Sequence, residues 1–162
     1  MPDKPRVVDP ASITPRIGGG YPERFNAHVG GRVKRALTDA LGLTQFGVNL
    51  TELPPGAASA LRHWHSHEDE CVYILEGHPT LVTDAGETVL YPGQAAGFPA
   101  GVADGHCLIN RTDERVLLLE IGARDDQDEG FYPDVDLHAQ PGRYTSENCF
   151  TRADGSPLDD ED

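Results

Sequence analysis

Apolar and polar positions alternate in only one part of this chain. From Thr44, Phe46, Val48 and Leu50 alternate with Gly47 and Asn49, the two-residue period of a strand with one buried face. Pro54-Pro55-Gly56 ends that run. Seven further short segments follow, at 61–65, 71–76, 80–83, 87–91, 95–98, 107–110 and 116–121. Turn residues separate them, among them Gly77-His78-Pro79, Asp84-Ala85-Gly86, Pro92-Gly93 and Pro99-Ala100-Gly101. Many short strands at this spacing predict an all-β sandwich or barrel. Phe46, Val48, Tyr73, Tyr91 and Phe98 read as its core.

The flanks follow other rules. Residues 1–24 contain Pro2, Pro5, Pro10, Pro15, Pro22 and Gly18-Gly19-Gly20, which predict an extended arm over a core made elsewhere. In residues 25–42, Val33, Leu37 and Leu41 have helical spacing, against which stand Gly30, Gly31 and Gly42. After Gly122 the alternation stops. Asp125-Asp126-Gln127-Asp128-Glu129 is a charge block, Tyr132, Val135 and Leu137 offer anchors for an ordered strap, and the end from Pro157 to Asp162 reads as frayed. The expected organisation is an N-terminal arm over 1–43, a β-barrel over 44–122, and an acidic C-terminal strap and tail over 123–162.

Composition narrows the function classes. The 162 residues include 18 Gly and 13 Pro, too many for a helical bundle and enough chain for one domain with its own core. The net charge of −14 argues against nucleic acid and anionic membrane surfaces as partners. That charge is uneven: 1–36 carries +4, and 125–162 carries −10, which reads as solvated surface. No apolar run approaches the roughly 20 residues of a membrane span, and the first residues lack the apolar centre of a signal peptide. Cys71, Cys107 and Cys149 are odd in number and widely spaced, which predicts reduced thiols and a cytoplasmic protein.

Two blocks carry the candidate chemistry. The first reads Gly56, His63-Trp64-His65, Glu70, Gly77; the second reads Gly93, Pro99, Gly101, His106, Asn110. Residues i and i+2 of a strand share a face, so His63 and His65 both point inward and can grip one ion, while Arg62 and Trp64 point away. Trp64 then reads as a packing or interface residue. By the same parity Val72 and Ile74 share the face of Glu70, Leu108 and Asn110 share that of His106, and the thiols of Cys71 and Cys107 turn away from it. His67 would break the spacing and reads as an exposed turn residue. His28, His78 and His138 receive no role.

The two blocks, G-x6-H-x-H-x4-E-x6-G and G-x5-P-x-G-x4-H-x3-N, strongly resemble the paired signature motifs of the cupin superfamily. They differ by one extra residue before His63 and two before His106, both in turns. The flanking arms are similar to those of small bacterial single-domain cupins of the cupin 2 type, some of which are described as sugar-phosphate isomerases. The resemblance implies an all-β, cupin jelly-roll-type β-barrel with extended N- and C-terminal arms. It implies one metal held by His63, His65, Glu70 and His106, and a homodimer, with the proline-rich arm as the crossing element. Three imidazoles and a carboxylate suit a divalent transition metal (Fe, Mn, Zn or Ni) and do not favour Ca or Mg.

Three functions are compatible with that site: a metal-dependent isomerase or epimerase acting on a small oxygen-rich metabolite, an Fe(II)-dependent dioxygenase, or a non-catalytic ligand-binding module. No further His or Lys stands at inward parity in the barrel stretch, so no general base is evident. The basic residues of that stretch are Arg62, Arg111, Arg115 and Arg124, a sparse set that weighs against a phosphorylated substrate.

Overall fold

The computed structural model describes residues 4–145 and 149–159; the Asp160 to Asp162 part of the end expected to fray lies outside them. The alternating stretch forms strands, although in its first run the inward parity is that of Asn49, Thr51 and Leu53 and not that of Phe46, Val48 and Leu50. In chain order the strands are β1 (Arg16–Ile17), β2 (Val33–Ala36), β3 (Phe46–Leu53), β4 (Trp64–His65), β5 (Glu70–Glu76), β6 (Thr80–Thr83) and β7 (Gly86–Val89). They continue with β8 (Ala95–Phe98), β9 (Cys107–Ile109), β10 (Val116–Ala123), β11 (Gly130–Phe131), β12 (His138–Ala139) and β13 (Phe150–Thr151). Two short helices, α1 (Glu23–Asn26) and α2 (Leu37–Leu41), interrupt the N-terminal arm.

The ladders form a six-stranded sheet (β1-β2-β3-β10-β5-β8), a four-stranded sheet (β13-β12-β11-β4) and a three-stranded sheet (β7-β6-β9). Isolated bridges at Ala58–Ile109 and His63–His106 tie the stretch after β3 to β9 and the residues before it. Pro54 and Pro55 have no N–H to donate, so the ladder cannot run unbroken through this corner. At Gly77 a side chain is excluded: φ is +80°, and a Cβ would lie 2.7 Å from the Arg115 carbonyl oxygen.

The inward face of each central strand changes chemistry along its length. Leu53, Val72, Ile74, Val116 and Leu118 are buried in one core, joined by Leu108 and Leu90 from across the molecule. Beyond them the same parity presents Asn49 on β3, Glu70 on β5 and Glu120 with Gly122 on β10 to a cavity. Apolar burial thus stabilises one end of the sandwich and leaves the other for polar groups.

The ambiguous stretch 25–42 divides. Its start is helical, with the end of α1 followed by a 3-10 turn over Ala27–Val29; Val33–Ala36 is strand, paired in register with Asn49–Glu52; and Leu37–Leu41 is helical, ending at Gly42 in the left-handed conformation with φ of +75°. The open edge of β3 takes a strand partner, and that overrides the spacing of Val33 and Leu37. Phe46, Tyr73 and Tyr91 are not core: they are 41%, 40% and 54% exposed. Tyr73 lies between inward Val72 and Ile74 and so points to the outer face.

The strap expected around Tyr132 is ordered. Tyr132, Leu137 and Ala139 form a second core with Phe25 and Leu61, against which Tyr21, Val135, Phe150 and Leu158 pack. Both arms are therefore built into the fold. Asn110 closes the apolar end, its amide donating to the carbonyls of Leu53 (2.8 Å) and Glu114 (2.7 Å) while its Oδ1 accepts from Thr112 N (3.0 Å) and Oγ1 (2.7 Å). Asn110→Ala strands these buried partners and is expected to lower unfolding free energy by about 2–4 kcal/mol, read as a shift in urea midpoint at unchanged m-value.

Candidate metal centre

His63 and His106 exchange both backbone hydrogen bonds, His63 N to His106 O at 3.2 Å and His106 N to His63 O at 2.9 Å. Directly opposed residues project to one face, so the two signature blocks meet here. His65 follows two residues after His63 on the same face, and the Gly101 N–H holds its carbonyl at 2.8 Å. Glu70 opens β5 and completes the group. The Nε2 atoms of His106, His65 and His63 lie 2.9, 3.4 and 3.5 Å from one oxygen of Glu70, Oε2. His63, Glu70 and His106 bring one ligand atom each within 4.8 Å of one another, a cluster able to hold a metal ion.

The outer nitrogens settle the ring tautomers. His63 Nδ1 donates to Leu61 O at 2.7 Å, His65 Nδ1 donates to Asp128 Oδ2 at 2.7 Å, and His106 Nδ1 points at Asp104 O at 3.4 Å. A carbonyl or carboxylate only accepts, so the Nδ1 protons of His63 and His65 face outward, and in their neutral form these rings turn the Nε2 lone pair toward Glu70, which His106 Nε2 approaches to 2.9 Å. Lone pairs facing a carboxylate repel unless a cation lies between them. This donor set, three imidazole nitrogens and one carboxylate oxygen with the outer nitrogens already anchored, fits a divalent transition metal.

Protonation agrees with that reading. Burial pushes the His63 pKa below its ordinary value. Burial also opposes charge on His65, but hydrogen bonding to Asp128 and Glu70 outweighs it and raises that pKa to about 9. Burial alone would raise the Glu70 pKa; bonding to His106, His63 and His65 instead holds it well below the carboxylate range. Without a metal, the cluster therefore stores a proton on His65 where a metal would bind.

Aromatic rings hold the imidazoles in place. Phe98 stacks on His106 with centroids 3.6 Å apart, and Tyr132 lies 5.8 Å from His63 at an interplanar angle of 28°. Trp64 faces away and stacks on Phe131 at 4.3 Å, as its parity requires. Arg62 also faces away, paired with Asp134 at 2.7 Å and with Asp84. His67 is exposed, and among the described residues no cysteine joins a metal-competent cluster. Burial pushes the Cys107 thiol up to about 11.

Residues that the sequence reading passed over complete the site. Asp128, from the block read as surface charge, is fully buried; besides His65 it accepts from the backbone N–H of His67 (2.8 Å) and Glu68 (3.2 Å). His65, Glu68 and Asp128 form a second acidic cluster, but a guanidinium fills it. Arg143 pairs with Glu68 and lies 3.4 Å from Asp128, and Tyr144 donates to Glu68 at 2.7 Å.

Across the cavity Glu120 Oε2 accepts from Thr51 Oγ1 at 2.9 Å and pairs with Lys34 at 2.7 Å. Glu120 had a signal: it is the acidic residue at inward parity after Val116 and Leu118. The others had none, because pairing of β11 with β4 and of β2 with β3 is what delivers them.

The cavity encloses about 330 Å³. Its wall includes Arg16, Arg32, Lys34, Arg124 and Arg143, all five outside 44–122, against Glu68, Glu70 and Glu120. The scarcity of basic residues in the barrel stretch is therefore no measure of the site and does not weigh against a phosphorylated substrate. Among the described residues no helix is long and apolar enough to cross a membrane.

A family model for the cupin domain matches residues 49–122. A structure from Silicibacter pomeroyi DSS-3, described as a sugar phosphate isomerase from a cupin superfamily, is 45% identical over 96% of this chain and 98% of that one, with a TM-score of 0.88. A protein of Acidithiobacillus ferrooxidans, given the same activity provisionally, is 35% identical over 72% of this chain and 74% of its own, with a TM-score of 0.68. The polyketide cyclase RemF of Streptomyces resistomycificus shares the fold alone, at 22% identity, 74% and 80% coverage and a TM-score of 0.59. No curated protein matches the sequence. With the His and Glu cluster inside an all-β jelly roll and a near full-length relative of this identity, the chain belongs to the cupin superfamily.

Proposed function

We propose that this cupin is a metal-dependent isomerase or epimerase of a small oxygen-rich metabolite, sugar or sugar phosphate in class. His63, His65, Glu70 and His106 would hold its single divalent transition metal: iron, manganese, zinc or nickel. The observation that carries this reading is the convergence of three Nε2 atoms and Glu70 in a cavity whose other wall presents a second carboxylate, Glu120. The description of the Silicibacter pomeroyi relative supports the substrate class. Bound there, the metal would supply Lewis acidity and two coordination positions for substrate oxygens.

The chain's own groups carry the proton. Glu120 takes it at Oε1 from the carbon beside the substrate carbonyl and returns it to the former carbonyl carbon, while the hydroxyl proton passes from one substrate oxygen to the other, so isomerisation consumes no net proton. Lys34 and Thr51 both engage Oε2, which fixes the carboxylate and leaves Oε1 for the substrate. Phe98 and Tyr132 cover imidazole faces and keep water from the ligand rings.

Elemental analysis of protein purified without added metal is expected to find about one transition ion per chain. A hundredfold excess over its dissociation constant should stabilise the metal-free fold by about 3 kcal/mol. His63→Ala abolishes that gain; absence of stoichiometric metal together with an unchanged His63→Ala response overturns the metal site. Iron accompanied by O₂ uptake replaces the isomerase with the oxygenase.

The raised His65 pKa gives two opposite pH dependences. His65 binds its proton more tightly folded than unfolded, so the metal-free fold is most favoured below about pH 6.5 and loses stability as pH rises toward about 9. Metal must displace that proton, so metal affinity rises over the same window, by about tenfold per pH unit for one proton. Melts and metal titrations at stepped pH check both, and in Asp128→Asn both transitions move to lower pH.

Glu120→Gln is expected to lower kcat on a turned-over sugar or sugar phosphate by about 10²–10⁴-fold while metal content stays at wild-type level. Exchange of the substrate's transferred hydrogen with deuterated solvent should disappear in parallel.

A further inference from the structure

The β1–β2 wall of the cavity carries more positive charge than the fold neutralises. Arg16 stands opposite Lys34 in the β1–β2 ladder, so the two side chains share a face. Arg32 precedes Lys34 by two residues and lines the same cavity. Three cations thus meet on one side of a narrow ladder. The carboxylate facing them is Glu120, and Lys34 takes it at 2.7 Å. Elsewhere on the wall Arg124 pairs with Asp39, and Arg143 pairs with Glu68.

Arg32 is the unusual member. It is only 8% exposed, yet among the described residues no carboxylate pairs with it. Its Nε donates to Gly18 O at 3.0 Å and its Nη1 donates to Ser59 O. Two backbone carbonyls therefore fix the guanidinium plane, and Nη2 has no partner among the described residues. A buried cation without a counter-charge is costly, so such sites are completed by an anion. A rigid guanidinium with free N–H groups beside a second arginine, Arg16, that no carboxylate pairs with among the described residues matches phosphate geometry, and two such positive charges match a phosphate dianion.

We propose that Arg16 and Arg32 form a subsite for the phosphate group of a phosphorylated substrate, at the wall facing the His and Glu cluster. This rests on the reading of the cavity as the substrate site and narrows the substrate class to phosphate monoesters. The N-terminal arm then recognises the phosphate while the barrel handles the oxygens that react. It also gives the +4 charge of residues 1–36 a place in a chain of net charge −14.

The test is calorimetric titration of the full chain with inorganic phosphate at fixed ionic strength, first after chelator treatment and then metal-loaded. The metal-free protein is expected to bind one phosphate per chain, and acetate should fail to compete at equal concentration. Arg32→Lys keeps a charge but loses the planar fork and should weaken phosphate binding at least tenfold. Arg32 also holds two backbone carbonyls, so Arg16→Gln at an exposed position is the independent arm. It should weaken phosphate at least tenfold with melting temperature and metal affinity unchanged. In the metal-loaded protein glycerol phosphate should bind more tightly than inorganic phosphate, because both ends of the ligand are engaged.

Phosphate affinity unchanged in both variants overturns the subsite, as does equal competition by acetate. Binding that requires the metal assigns the anion to the metal instead, and glycerol phosphate no tighter than inorganic phosphate removes the substrate role. Loss of the metal or of isomerase activity leaves the metal-free titration intact, so failure of the broader reading is distinguishable from failure of the subsite.

Discussion

The site depends first on one backbone pairing, the two hydrogen bonds between His63 and His106. They bring two motifs from separate turns to the same face at the same level. His65 then follows by parity, and Glu70 arrives because β5 pairs with β10 and with β8, where it stands opposite Gly122 and Phe98. The geometry of the cluster is thus set by backbone hydrogen bonds, and the side chains need only be of the right chemical type.

A second constraint comes from outside the motifs. The imidazole of His65 is oriented by Asp128, Asp128 is held by backbone N–H groups after His65 and neighboured by Arg143, and Arg143 is held by Glu68 and Tyr144. A continuous polar chain therefore runs from the C-terminal strap to the ligand cluster. Each member is satisfied by the next, which is what makes burial of so many charges tolerable. The strap is anchored separately by Tyr132 and Leu137 in an apolar core shared with Phe25 of the N-terminal arm. Both arms contribute to the cavity wall because the same core that seats one seats the other.

The molecule separates its charges by location. The excess acid lies mainly beyond Arg124, while the cavity wall collects cations from β1, β2 and the strap. Inside a recess of lower dielectric those few cations act more strongly on a ligand than the many solvated carboxylates outside. A net charge of −14 disfavours broad polyanionic partners and yet says nothing against a small anion bound within.

The central strands between Phe46 and Ala123, the turns between them and the inward set His63, His65, Glu70 and His106 were legible in the chain alone. Those rest on period-two parity and on Gly and Pro turn chemistry, both local along the chain. Glu120 was legible too, as the polar residue breaking an apolar inward series. Tertiary structure settled that Val33–Ala36 is a strand and that Asp128 of the acidic block is fully buried. It also decided that Arg16, Arg32 and Arg143 reach the cavity. Those placements depend on pairing between segments far apart in the chain, and no local periodicity records which edge a distant strand will join.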